Sequence, residues 1–368
     1  MDRPSRDAGR ASAVPAVAAR CAPAPRGRAA LSAAPASWDD AAVRSPTGHV
    51  LQSAAWAEIR EAQGWRAEFL RFGDALPCAL VLWRPLPAGR ALAYVPRGPI
   101  APPGDAAALR TALAGLATLA RERGALFVKA DPELTAEEAG GALRAAGFRR
   151  APDVQPVVAT LELDLSADED ALLRGLDKDT RWSVRHAEKR GVGIRDADGD
   201  TDLRAFYDLY AQTGARAGFI TRTWEYYRAM WGTLVGAGHA RVRLGVREGR
   251  AVAAAMTWRC GEREVYQTAA TNAEGRSAYA AYALLWRCII EAKTSGAKRF
   301  DFGGIPADLS RKDDPMQGPY HFKKGFGGAA RRFVGAHDAV ANELAYRAYR
   351  LVEPVYTAAL RLRGRAAG

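Results

Sequence analysis

Histidine and cysteine are scarce in these 368 residues, with five of the first and four of the second. Cys21, Cys78, Cys260 and Cys288 form no C-x-x-C pair and have no histidine cluster beside them. That argues against structural zinc and a disulfide framework, and fits free, mostly buried thiols in a reducing cytoplasm. Neither a metal nor a cofactor is expected. No apolar run approaches the roughly 18–20 residues that span a bilayer. The longest helical apolar stretch, near Ala112 to Ala120, reads as one buried helix face, so any membrane contact is peripheral. No long heptad insertion is present, so no coiled-coil arm is expected and a monomer is the default. A Ser/His/Asp or Cys/His arrangement is also missing.

What is present is apolar mass and positive charge. A hydrophobic content of 48% and nine tryptophans are ample for a buried core. The length suggests two domains of roughly 100–200 residues each. Lysine and arginine number 53 against 41 acidic residues, a formal charge of +12. Residues 1–36 hold six arginines against Asp2 and Asp7, so about +8 remains for the folded part. A basic body suggests a polyanionic partner: a nucleic acid, a nucleotide or a phospholipid surface. Residues 1–36 are Ala, Pro, Arg and Ser with almost no large apolar side chain, and read as a disordered tail or a misplaced start. They resemble an organelle transit peptide in being Arg-rich and acid-poor, and lack the apolar stretch of a secretory signal.

The order of elements repeats. In the first half, 66–72, 75–86 and 91–98 read as strands, Asp105 to Arg123 as a helix stopping at Gly124, and 126–132 as a strand. In the second half, strands at 240–249, 250–260 and 264–272 precede a helix from Ala280 to Ser295, which stops at Gly296 before a strand at 298–304. RERGALFVKADP and KTSGAKRFDFGG match as helix end, glycine, strand and aspartate. Between the halves, 157–165 reads as a strand and Asp168 to Arg190 as one helix with Leu172, Leu173, Leu176 and Val184 on its apolar side. Asp202 to Gly214 and Thr223 to Leu234 read as two more helices.

This is an α/β (α+β) pattern with mixed sheets, and its order resembles GNAT-type acyltransferases in tandem. The first GNAT-like domain is expected to span 37–156, with about 338–368 returning to it, and the second 157–337. Enzymes of that type that use acetyl-CoA grip its pyrophosphate with a Q/R-x-x-G-x-G/A loop and a helix N-terminus. The equivalent segment here, TNAEGRSAYAAYALLW at 271–286, has the single glycine Gly275, and APPGDAAAL at 101–109 is no better. An acyl donor other than acetyl-CoA is therefore expected. The stretch YHFKKGFGG at 320–328, two lysines on a glycine-rich base, first suggests a phosphate loop.

Seven pieces in order carry a narrower resemblance: QSAAWAEIREAQGW (52–65), YVPRGP (94–99), FVKADP (127–132), TRWSVRHAEKRGV (180–192), GFITRTWEYY (218–227), FDFGGIP (300–306) and HFKKGFGG (321–328). Over roughly residues 40 to 340 the chain resembles the Fem family of aminoacyl-tRNA-dependent transferases that build peptidoglycan cross-bridges. The resemblance implies a cytoplasmic aminoacyltransferase. Its partners would be an aminoacyl-tRNA and a UDP-linked or lipid-linked muropeptide precursor. In such chemistry an amine attacks an aminoacyl ester, so the amine must lose a proton and the tetrahedral oxyanion needs cationic or N–H support.

The resemblance also nominates residues. Arg60 stands where the family usually has the lysine that meets the precursor diphosphate, which keeps the charge and alters its geometry. Arg222 with Tyr226 resembles the second diphosphate-binding pair, and spacing of four puts both on one helix face. Asp131, at a strand end, resembles the acid considered as the amine's base; it could instead cap the turn at Pro132. In this family the proton can also leave through the tRNA ribose hydroxyl. Tyr266 resembles a substrate-lining tyrosine, or is a half-buried strand aromatic. Asp301 with Gly303 and Gly304 marks a close approach of ligand or backbone. Arg181, Arg185, Lys189 and Arg190 form a basic helix face, for tRNA phosphates or for solvent. The family pattern F-K-x-x-F-G falls on Phe322, Lys323, Phe326 and Gly327. It selects Lys323 over Lys324 as the cation for the tRNA acceptor end or the ester's developing charge, with Phe322 lining the site. Two alternatives remain at this point: a GNAT-like transferase using another acyl donor on a polysaccharide or natural-product amine, and a non-catalytic RNA- or membrane-surface-binding protein.

Overall fold

The computed structural model describes residues 33–86 and 89–353, so the readings of Cys21, of most of the N-terminal segment and of the basic C-terminus lie outside the described residues. Among the described residues, thirteen strands form two mixed sheets. The first sheet has the order β1-β2-β3-β4-β13-β5, where these are Arg66–Arg71, Cys78–Pro85, Ala91–Val95, Ala125–Ala130, His337–Val340 and Arg149–Arg150 in that order. The second runs β12-β6-β11-β10-β9-β8-β7. Its strands are Ala329–Arg332, Ala159–Asp164, Arg299–Gly304, Arg263–Thr271, Arg250–Cys260, Ala240–Arg247 and Gly193–Asp196 in the same order.

Period-two alternation decides what each sheet face meets. On β2, Ala79, Val81 and Trp83 face the core under the helix Ala106–Glu122, with Leu109, Leu113 and Leu116. Cys78, Leu80 and Leu82 face the other way, into a core shared with Phe206, Trp231, Leu244, Met256 and Trp258 of the second half. The opposite face of the second sheet packs Val252, Ala253 and Ala255 against Leu284, Leu285, Cys288 and Ile289 of the helix Ala280–Thr294. Each fully buried large apolar side chain contributes roughly 1.5–3 kcal/mol.

Each half contains a parallel strand pair flanking its long helix. In the first, β3 runs beside β4 from Ala91 opposite Ala125 to Val95 opposite Ala130. In the second, β10 pairs with β11 only from Arg263–Arg299 to Val265–Asp301. The β9–β10 register then slips between Tyr266 and Thr268, so β10 bends away and the sheet splits beyond Asp301.

Two readings need correction. The helix expected from Asp168 to Arg190 is two helices, Glu169–Gly175 and Lys178–Lys189, because Leu176 is extended (φ −66°, ψ 146°). Leu176 continues the apolar pattern but buries itself at the corner instead of along one face. The lysines of YHFKKGFGG do not sit on a glycine base either. Gln317–Lys324 is a helix, and Gly327 and Gly328 (φ +89° and +97°) only turn the chain out of it towards β12.

Candidate active site

Three separate segments bring cations to one place. Arg60 lies in the last turn of Ala54–Glu61, a helix started by Ser53, whose hydroxyl accepts from the Trp56 N–H at 2.9 Å. Its guanidinium lies over Trp65, 4.8 Å from the ring centroid, and bonds Gln63. Burial lowers its pKa to about 10, with Tyr226 and Tyr94 opposing the shift and Arg84 and Arg222 adding to it. Those same groups therefore lie within electrostatic reach of it. Arg222 does not share a helix face with Tyr226 as expected, because it precedes Thr223, the N-cap of the helix Trp224–Gly236; it still lies over Tyr226, 4.5 Å from the ring centroid. Arginines collected round two phenols with only partial solvent cover form a ready seat for a multiply charged anion.

Tyr94 joins that cluster to Asp131. Its hydroxyl donates to the Asp131 carboxylate at 2.9 Å and accepts from Gln155 at 3.1 Å. The second Asp131 oxygen accepts the backbone N–H of Arg97 at 2.7 Å, where the chain turns with φ +53°. Burial raises the Asp131 pKa to about 6, although the charge of Arg97 and both hydrogen bonds pull it down. The carboxyl is 2% exposed, so it faces the cluster through the Tyr94 phenol.

A buried ion-pair network continues across the halves. Arg97 meets Glu133 at 3.2 Å, Glu133 also binds Arg263, and Arg263 reaches Asp301 at 3.2 Å and Glu162 at 3.5 Å. Opposed by burial, Arg263 and Arg97 hold the Glu133 carboxyl far below its usual range. His49, 3.6 Å from Glu133, is driven to about 3 by burial and stays neutral. This network walls a cleft of about 190 Å³ in which Arg331 is paired with Glu138 and Arg299 with Glu162. It reads as cement between the halves.

The network ends at the split in the second sheet. Asp301 accepts from the Thr160 hydroxyl and from the Gly303 N–H, the latter at 2.7 Å. Lys323 lies across this strand end and donates to the Gly304 carbonyl at 2.6 Å. Only glycine fits at 303: φ is +72°, and a Cβ there would stand 2.8 Å from the Tyr266 carbonyl and 4.0 Å from the lysine nitrogen. Burial lowers the Lys323 pKa to about 8, and Asp301 partly restores it. An ammonium has three N–H bonds, and one is used. Phe322 is half-buried against Tyr282 (4.9 Å) and Phe326 (5.6 Å), and Lys324 is exposed. Tyr266 is in the core against Phe300, backing the Gly303 turn and away from Arg60.

The segment that would grip a CoA pyrophosphate is already filled. Asn272 caps the short helix Ala273–Ser277 by accepting from the Gly275 N–H. Tyr279, in a left-handed conformation, then occupies the start of Ala280–Thr294, and the Trp182 ring packs edge-on against it at 5.2 Å. The chain matches the FemAB family over residues 37–142, 146–236 and 246–354. It belongs to that family and is an acyltransferase. Lipid II:glycine glycyltransferases of Staphylococcus aureus are 25% identical (24% in some strains) over 87% of this chain and 95% of theirs. A FemX crystal structure superposes with a TM-score of 0.76 at 22% identity, covering 86% of this chain and 98% of that one, and shares the fold. A conserved protein of unknown function from Bacteroides thetaiotaomicron shares it more loosely, with a TM-score of 0.52 at 11% identity over 82% of this chain and 96% of that one.

For a FemAB-family site, Arg60, Arg222 and Tyr226 come together, and Phe322 and Lys323 form a second group. Asp131 stands behind Tyr94. Sequence reasoning missed Tyr94, Arg97, Glu133, Thr160 and Arg263. One signal was available: Arg263 opens a strand whose next three residues are buried, where an unpaired cation would be costly. Among the described residues, no group of three or more His, Cys, Asp or Glu is placed to hold a metal ion, and no helix is long and apolar enough to cross a membrane.

Proposed function

We propose that this transferase moves an amino acid from aminoacyl-tRNA to the peptide-stem amine of a lipid-linked peptidoglycan precursor. The observation that carries the reading is that Arg60, Arg222 and Tyr226, far apart in the chain, lie within electrostatic reach of one another, which supports reading them as a diphosphate seat. The amine nitrogen attacks the ester carbonyl and a C–N bond forms. The C–O bond to the ribose breaks, and the ribose oxygen takes up the proton the amine gives up. Lys323 places a cation beside the oxyanion of the tetrahedral intermediate. Asp131 positions Tyr94 and the Arg97 turn and so fixes the floor of the precursor site.

Two facts favour the lipid-linked over the UDP-linked acceptor. The Staphylococcus aureus relatives are named for lipid II and for glycine. Two residues before Arg222, Ile220 is 68% exposed, with Phe219 beside it at 40%, an apolar tip suited to a bilayer surface. The test is to incubate the purified full chain with radiolabelled aminoacyl-tRNAs, glycyl-tRNA first, and with lipid-linked or UDP-linked pentapeptide. Label on the muropeptide that RNase abolishes is the expected result. Transfer from acyl-CoA and none from tRNA overturns it.

A further inference from the structure

The helix Lys178–Lys189 carries a surface that this reaction scheme leaves unused. Lys178, Trp182, Arg185, His186 and Lys189 fall at spacings of three and four and share one face. With Asp179 and Arg181 they line an open trough of about 440 Å³. The opposite face, Thr180, Ser183 and Ala187, is buried against the rest of the second half. Among the described residues, Lys178, Arg185 and Lys189 make no ion pair and no side-chain hydrogen bond, whereas Arg181 is tied to the Arg174 and Leu176 carbonyls. Solvated lysines and arginines on a helix are ordinary. An indole left 50% exposed among them is not. Trp182 is stacked on His186 with 4.2 Å between centroids and 15° between planes, and is braced edge-on by Tyr279. Its ring is thereby held as a fixed flat platform.

The platform is also wired to Lys323. The Asp177 N–H donates to the Gly325 carbonyl at 2.9 Å, and Gly325 sits so tightly on Thr180 that a Cβ would come within 2.1 Å of its hydroxyl. Tyr279 leads to Tyr282 at 6.4 Å, and Tyr282 to Phe322 at 4.9 Å. A row of rings therefore runs from the exposed tryptophan to the residue beside the buried lysine.

We propose that this trough is the docking site for the single-stranded 3′ end of an RNA, with a base stacked on Trp182 and the backbone phosphates on Lys178, Arg185 and Lys189. Cations interleaved with an exposed aromatic face are the means by which proteins hold single strands without reading sequence. A bilayer is the poorer fit, because no aliphatic side chain lines the trough, while Phe219 and Ile220 lie in another segment. The proposal rests on aminoacyl-tRNA being the donor, and adds where its end lies.

The test uses full-length protein and a fluorescent RNA acceptor-arm hairpin with a free four-nucleotide 3′ strand, measured by anisotropy across a salt series. Trp182→Ala is expected to weaken binding about tenfold, and Trp182→Phe to recover most of it. Arg185→Ala with Lys189→Ala is expected to lower the salt slope by about 1.4, two single-strand phosphate contacts at roughly 0.7 each. A blunt hairpin should bind all variants alike. Unchanged melting temperature checks the fold. If wild type binds and uses tRNA and these variants do so equally, the docking site is wrong while the donor assignment stands. If wild type binds no RNA and takes no aminoacyl group from tRNA, the donor assignment itself has failed. Binding of anionic vesicles that these variants lose, with RNA binding unaltered, overturns the proposal in favour of a membrane face.

Discussion

The two halves place an aspartate at the same point, after the long helix and at the end of the parallel strand, and use it differently. Asp301 is surrounded: Thr160, the Gly303 N–H and the Arg263 guanidinium all bind it. Asp131 has hydrogen bonds from a phenol and a peptide N–H, while the nearest guanidinium, that of Arg97, is spent on Glu133. Burial raises both carboxyls. One strand end thus serves as an anchor across the halves, and the other holds an acid behind a tyrosine within reach of a cluster of arginines. The same element order in the two halves does not carry the same role.

The largest expected effect comes from breaking the anchor. Arg263→Leu leaves Glu133, Glu162 and Asp301 buried without their shared cation, and should cost about 3–5 kcal/mol in denaturant unfolding. A loss under 1 kcal/mol would mean the network is not what fixes the halves. Next is Lys323→Ala, which should lower kcat about 10²–10³-fold with little change in precursor binding. Since Lys323 titrates at about 8, wild-type kcat should fall as pH rises through that value, and Lys323→Arg should move the fall upward. A flat profile would remove the cation from the chemistry.

Asp131→Asn sharpens the comparison at its other end. The folded carboxyl, at about 6, holds its proton where the unfolded chain, near 3.8, has lost it. Its contribution to stability is therefore complete below about pH 4 and is lost as pH rises through about 6, roughly 3 kcal/mol in all. The asparagine variant should flatten the pH dependence of unfolding over that window. An unaltered slope would place the titration elsewhere. Arg60→Ala and Arg222→Ala should each weaken precursor binding by about 1.5–3 kcal/mol, read by calorimetry with lipid-linked pentapeptide. The smallest effect is expected for Lys324→Ala, next to the buried lysine and exposed, which should stay within about 0.5 kcal/mol of wild type in stability and keep its activity.

Much of the scaffold is legible from punctuation in the sequence. Gly124 and Gly296, both at positive φ, end the two long helices where they were expected to end, and the strands around them fall within a few residues of their predicted bounds. What periodicity could not give is pairing at a distance. Arg97, Glu133 and Arg263 are ordinary charged residues in the sequence, and only the approach of the two halves turns them into a buried network. Leu176 misled for the opposite reason, since an apolar residue in step with a helix is also what a buried corner requires. The lysine of the F-K-x-x-F-G pattern could be singled out, but not its cause: Lys323 is set apart from Lys324 because its helix turns it onto the Gly304 carbonyl.

The apolar layer between the sheets has a consequence for how the chain behaves as a machine. Cys78, Leu80 and Leu82 from one half and Phe206, Trp231, Met256 and Trp258 from the other share a single interior, so neither half owns the surface it buries. Cutting the chain near residue 156 should yield fragments that precipitate, and heating the whole should give one cooperative transition. The gap from the arginine cluster to Lys323 is then a fixed gauge. In the proposed reaction the peptide stem and the RNA end would then have to supply the reach, and an acceptor stem shortened by one residue should react more slowly even when it binds as tightly.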